Sequence, residues 1–84
     1  MVLEKTHKIT LYNDDEHSFL EVQACLVNFC NHEPIQAAQC VLIVDGVGEY
    51  DIKEGSFEEM FELLSSLDEV GLKVKLHTNE SYLH

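Results

Sequence analysis

Leu72, Val74 and Leu76 alternate with Lys73, Lys75 and His77, and this period of two is what most limits the fold of the chain. Side chains along a strand point alternately to opposite faces, so the stretch reads as a strand with one apolar face to cover and one charged face to solvent. The pattern occurs twice more. From Thr6 to Tyr12, Ile9 and Leu11 alternate with Lys8, Thr10 and Tyr12, and from Glu49 to Lys53, Tyr50 and Ile52 alternate with charged residues. Such strands need a second layer to bury their apolar side.

Helical patterns between the strands supply that layer. Ser18-Phe19-Leu20-Glu21 and Ser56-Phe57-Glu58-Glu59 fit the capping box, in which a Ser hydroxyl and a Glu carboxylate satisfy backbone donors at a helix start. Behind the first box Phe19, Val22, Leu26 and Phe29 recur at helical spacing and end near Asn31. Glu33-Pro34 opens a second helix, because Pro at a first helical position gives up no needed N–H. It runs to about Val44, and its row of Ile35, Ala38 and Leu42, flanked by Ala37, Val41 and Val44, is apolar enough to be sandwiched. Asp45-Gly46-Val47-Gly48 reads as a turn, Gly55 ends the second strand, and Gly71 closes the third helix, whose inward residues are Phe57, Met60, Phe61, Leu64 and Leu67.

The order is therefore β-α-α-β-α-β, an α/β (α+β) open-faced sandwich with a three-stranded antiparallel sheet packed on three helices. The expected core includes Leu26, Phe29, Leu42, Phe61 and Val74. One domain spans 1–84, its core about 6–78 between short flexible ends, with Glu80 to His84 expected to lack regular structure.

Charge narrows the partners. Lys5, Lys8, Lys53, Lys73 and Lys75 are the only strong bases against 16 Asp and Glu, for a formal net charge of −11. Nucleic acid and anionic membrane both need clustered bases, so neither is expected as a partner. The field favours a cationic ligand such as a free amine, although solubility alone accounts for it equally. Residues 16 to 45 and 56 to 69 contain no Lys or Arg, so the helical side is acidic and the outer sheet surface mixes lysines with acids. Cys25, Cys30 and Cys40 are odd in number and sit in apolar helical patterns, which reads as buried thiols rather than disulfides or a zinc site. With no apolar run near the ~20 residues of a membrane span and no leader-like N-terminus, a cytoplasmic monomer is expected.

One polar stretch stands out. Asn13-Asp14-Asp15 lies between the first strand and a capped helix. In plain structural terms Asn13 makes an Asx-turn and Asp15 caps the helix. Leu11-Tyr12-Asn13-Asp14-Asp15, the helix pair behind it, Phe29, Gln36-Ala37-Ala38-Gln39, Gly48 and the last strand together resemble the ClpS family over roughly residues 7 to 78.

That resemblance implies an adaptor rather than an enzyme, without cofactor or metal. Such an adaptor holds the free N-terminal residue of a protein or peptide substrate, its α-ammonium and its bulky hydrophobic side chain, and delivers it to the N-terminal domain of a Clp AAA+ unfoldase and its protease. Carried over residue by residue, Asn13, Asp14 and Asp15 match the amine-holding motif, and His17 stands where the family usually has Thr or Ser. Phe19 falls where a Met commonly gates the pocket. Val22 and Val44 match apolar walls, Val41 replaces a second common Met, and Leu72 matches the strand residue at the pocket floor. The chemistry suits an ammonium, which has three donors and no acceptor and so needs oxygens, at least one of them charged.

Three departures accompany the resemblance. Where the family usually ends its second helix on an amine-binding His, this chain has Asp45, still an acceptor. Only about six residues precede the first strand, against a longer extension in the family. The third helix lacks the basic residue of the family's docking surface, so an unfoldase contact is expected to be weaker or differently placed.

Two other readings compete. His17 beside three carboxylates is a conceivable acid/base or metal group, but HExxH, G-x-S-x-G, phosphate-loop and EF-hand patterns are all missing. A non-catalytic interaction or assembly domain of the same topology, without an amine pocket, is the alternative adaptor-free reading. It turns on whether Phe19, Val41 and Leu72 line a cavity beside Asn13 and Asp14 or fill it.

Overall fold

The computed structural model describes the backbone of residues 2–83 and the side chains of residues 6–78. Its elements follow the expected order: β1 (Val2–Tyr12), α1 (Phe19–Cys30), α2 (Pro34–Val47), β2 (Glu49–Gly55), α3 (Phe57–Glu69) and β3 (Val74–Leu83). β1 is central, with β2 and β3 antiparallel on either side. The three helices cover one face of the sheet, and the other face is left open.

Local chemistry sets the helix ends. The Ser18 hydroxyl accepts from the Glu21 N–H while the Glu21 carboxylate accepts from the Ser18 N–H, so the first capping box is complete. At Ser56 the box is half-made: its hydroxyl accepts from the Glu59 N–H but donates to the Glu59 carboxylate instead of releasing it to the backbone. α1 ends on Asn31 in the left-handed conformation, and α2 begins with Pro34 in its first turn. The expected turn at Asp45-Gly46-Val47 is instead the last stretch of α2, which ends at Gly48 with φ of 105°. At that φ a Cβ is strained, so glycine sets the stop.

Ile9, Leu11 and Ile52 line the inner face of the sheet and pack on Leu26 and Cys30 of α1, Ala37, Cys40, Val41 and Val44 of α2, and Met60 and Leu67 of α3. Of the expected core, Leu26 is buried and Val74 half-buried, but Leu42 is 60% exposed, Phe61 45% and Phe29 40%. Each has a reason. The apolar residues of α2 are spread evenly round its axis, so periodicity does not set its rotation, and the row facing inward is Ala37, Cys40, Val41 and Val44 rather than Ile35, Ala38 and Leu42. On α1 the Leu26 to Cys30 step takes the sheet-facing line, which turns Phe29 into a groove with Met60 and Leu63 of α3. Phe57 and Phe61 stack on each other at 5.6 Å along the rim, with His7 edge-on to Phe57.

Two further differences concern the sheet. Register shifts between Ile9 and Thr10, because Ile9 pairs with Lys53 and Thr10 with Asp51. The extra residue turns Lys53 to the helical side, where its Nζ donates to the Cys30 carbonyl at 3.2 Å and satisfies a helix end. Lys53 thus leaves the outer surface on which alternation placed it. β3 is also longer than the sequence pattern: residues 80 to 83, expected to lack regular structure, pair with residues 2 to 5 of β1, and only His84 of that tail lies outside the described residues.

Candidate functional site

The end of β1 is fixed by two neighbours. Tyr12 N–H donates to the Lys73 carbonyl and Asn13 N–H to the Gly48 carbonyl, each at 2.9 Å, so the chain leaves the sheet between the end of α2 and the start of β3. Asp14 then organises the turn into α1. Its Oδ1 accepts from the N–H groups of Glu16 and His17, each at 2.9 Å, and its side chain is only 5% exposed. The turn-forming carboxylate is therefore Asp14. The competing structural reading, an Asx-turn at Asn13 and a cap at Asp15, does not hold, since Ser18 is the cap, as its capping box predicts, and Asp15 projects to solvent.

His17 completes this unit. Its Nδ1 lies 3.2 Å from both Asp14 oxygens and its Nε2 3.2 Å from the Val70 carbonyl. Carboxylates and carbonyls only accept, so both contacts are hydrogen bonds when the ring carries both its protons. The hydrogen bond from Asp14 raises the His17 pKa against the opposing effect of burial, with the charge of Asp14 and the Val70 carbonyl adding to it. Burial pushes the Asp14 carboxyl up, but the two backbone donors and the His17 ring together outweigh it and hold it below its usual range. Both ring nitrogens face oxygens of the protein, so the geometry gives His17 a bracing contact on Asp14 at the cavity wall.

A cavity of about 190 Å³ opens beside this turn. Asn13, Asp14, His17, Ser18 and Asp45 supply its polar wall, and Leu11, Tyr12, Phe19, Val22, Val41 and Val44 its apolar wall. For scale, a dry apolar cavity of about 150 Å³ accepts benzene. Val41 and Val44 are buried beneath it and Phe19 stands half-exposed at its side. Among the described residues Asp14 Oδ2 has only the His17 ring as partner, and the side chains of Asn13 and Asp45 enter no hydrogen bond. Those oxygens remain able to accept.

Two of the expected site residues stand apart. Leu72 is almost fully buried and lines a separate hollow at the start of β3, because its N–H bonds back to the Leu67 carbonyl and ties it to the end of α3. Asp15 is exposed and does not line the cavity. Conversely Leu11, Tyr12 and Ser18 line it without having been picked out. Leu11 had a visible signal as the last inward residue of the first strand, whereas alternation pointed Tyr12 to the opposite face.

The remaining reactive groups are held internally. Burial pushes the Cys30 thiol up to about 11 and raises those of Cys25 and Cys40. His32 donates from Nε2 to the Ile52 carbonyl at 2.9 Å, and its Nδ1 lies 3.8 Å from the Cys40 sulfur. Among the described residues no three His, Cys, Asp or Glu side chains are grouped to share a metal ion, and no helix is long and apolar enough to cross a membrane.

A family model described as ATP-dependent Clp protease adaptor protein ClpS matches residues 3–75. No curated protein gives a significant match. Among solved structures, that of Agrobacterium tumefaciens ClpS2 bound to L-phenylalaninamide is similar to this chain, with a TM-score of 0.70 over 92% of this chain and 98% of that one. Sequence identity is 16%, so this likeness speaks to the fold.

Proposed function

The chain belongs to the ClpS family of ATP-dependent Clp protease adaptors, and from that premise we propose that it holds the free N-terminal residue of a substrate protein for delivery to a Clp AAA+ unfoldase. One observation carries the reading: the side-chain oxygens of Asn13 and Asp45, which have no donor among the described residues, share a benzene-sized cavity with Asp14 and an apolar wall. The α-ammonium donates to the Asn13 carbonyl oxygen, the Asp45 carboxylate and Asp14 Oδ2. The first side chain packs against Phe19, Val22, Val41 and Val44. The neighbour's bound L-phenylalaninamide, an amine beside a benzyl group, has both halves of that chemistry.

Both halves are needed. Burying a Leu- or Phe-sized side chain contributes about 1.5 to 3 kcal/mol, and a charge-assisted hydrogen bond about 1.5 to 3 kcal/mol. Because Asp14 is already engaged by the His17 ring and two backbone N–H groups, Asp45, which has no hydrogen-bond partner among the described residues, supplies the free carboxylate. Asp45 thus takes the place of the His found there in the family, as an acceptor of opposite charge to the ligand. A fluorescence-anisotropy titration tests the reading: a Phe-initiated peptide saturates the protein, and the same peptide begun with Gly does not. Equal binding of the two contradicts it.

Unfoldase docking follows a different surface chemistry from the family pattern. Phe57 to Glu69 carries no Lys or Arg and presents the stacked Phe57 and Phe61 at its rim. Capture by the cognate Clp N-terminal domain should be weak; tight capture that survives charge changes on α3 speaks against this.

A further inference from the structure

Tyr12 lines the cavity beside Asp14, the hollow at the start of β3, and the shallow hollow on the open face of the sheet. We infer that residues two to four of a bound substrate pass Tyr12 onto this open face, and that acidic side chains are favoured there by Lys73 and Lys75. The inference rests on the reading that the substrate N-terminus occupies the cavity.

Continuity and charge carry it. Asn13 is shared between the cavity and the β3 hollow, which also contains Lys73, Val74 and Lys75. The Lys75 Nζ sits 5.7 Å from the centroid of the Tyr12 ring, and His77 Nε2 lies 3.3 Å from the Tyr12 hydroxyl. Thr10 pairs with Lys75 in the ladder, so Lys75 is a diagonal neighbour of Tyr12. An extended peptide advances about 3.3 Å per residue, so three residues beyond the first reach roughly across two strands of the sheet.

The other described lysines are occupied: Lys8 pairs with Asp51 at 3.0 Å, and Lys53 is turned to the helices. Among the described residues Lys73 and Lys75 enter no ion pair with a carboxylate. The acids nearby are Asp68 in the β3 hollow, Glu49, which pairs with Tyr12 from the β2 side, and Asp51, which Lys8 and Thr10 already hold. In a chain of net charge −11 these two lysines are a local concentration of positive charge, positioned where the second to fourth residues emerge.

Three peptides of equal length, beginning Phe-Glu-Glu, Phe-Ala-Ala and Phe-Lys-Lys, are titrated against the full chain by fluorescence anisotropy at low and high salt. The expected order is Glu over Ala over Lys, with the Glu peptide favoured roughly three- to tenfold over Ala, the range for two exposed ion pairs, and less at high salt. Lys73→Ala with Lys75→Ala should erase the Glu advantage and leave the Ala peptide within about twofold, as rim charges on an exposed face do. Adding Glu58→Lys on α3 returns the net charge to that of the parent, and the advantage should stay lost. If Glu58→Lys restores it, the effect belongs to the overall field and the subsite is refuted. If the Ala peptide binds and the Glu peptide binds no better, the subsite fails while the N-terminal reading stands. If no Phe peptide binds, that reading fails and the subsite falls with it.

Discussion

His17 reaches Asp14 with Nδ1 at 3.2 Å from both carboxylate oxygens, while its other nitrogen holds the Val70 carbonyl across 53 residues of sequence. This contact links the turn before α1 to the end of α3, on the wall of the cavity. It also fits His17 against Gly71, where a Cβ would stand 3.4 Å from the ring on a backbone with φ of 91°.

The His17 contact predicts a pH dependence of defined sign. The folded pKa of His17 is raised above its ordinary 6.5, so its stabilisation is fully present below that value and is lost as pH rises through the folded pKa. The Asp14 pKa is lowered, so its contribution is present above its ordinary value and lost as pH falls through the folded one. Urea midpoints of the parent should fall relative to His17→Gln as pH rises from 6 to 9. An NMR titration placing the His17 pKa at or below 6.5 contradicts the assignment.

Asp14→Ala should cost more than Asp15→Ala in both stability and peptide affinity. The reason is the turn: removing Asp14 leaves the Glu16 and His17 N–H groups and the His17 ring without their acceptor, an effect of about 1 to 3 kcal/mol. Asp15, exposed, should change stability by no more than about 0.5 kcal/mol. Equal losses in chemical denaturation refute the assignment of the turn to Asp14.

Asp45→Ala should weaken a Phe-initiated peptide by about tenfold or more, the worth of one charge-assisted hydrogen bond. Asp45→His, measured above pH 7 where the imidazole accepts, should keep most of the affinity. Calorimetric titration checks both; if Asp45→Ala binds like the parent, Asp45 is only an exposed residue in the last turn of α2.

Val41→Phe should fill the cavity and lower affinity for a Phe-initiated peptide at least tenfold. The added ring has space in the cavity, so the cost in stability should stay below the roughly 1 to 3 kcal/mol of overpacking a closed core. A cooperative melt with undiminished peptide binding places the first side chain elsewhere.

The element order was legible because the change of period from 2 to 3.6 coincides with capping boxes at Ser18 and Ser56. The rotation of α2 was not, since a helix apolar on every side gives Ile35 and Ala37 equal claim to the core, and contact with α1 and the sheet decides. Lys53 was misplaced because a one-residue bulge in β2 leaves no mark on an alternating pattern. Most of the candidate site could be named through the family resemblance, but the division of labour within Asn13-Asp14-Asp15 could not. Three adjacent polar side chains offer similar chemistry, and the backbone turn selects which one faces inward. The double engagement of His17 depends on the carbonyl of Val70, a group that no residue identity reveals.

The most direct test of the account compares one Phe-initiated peptide with its N-acetylated form by calorimetry against the same protein. Acetylation removes the positive charge and two donors and leaves the benzyl group unchanged, so it isolates the ammonium's share of binding. The free peptide should bind and the acetylated one should lose roughly a hundredfold or more, the worth of two charge-assisted bonds at about 1.5 kcal/mol each. Equal affinity for the two forms, or no binding of either at high concentration, contradicts the account and leaves an interaction domain of the same fold without an amine pocket.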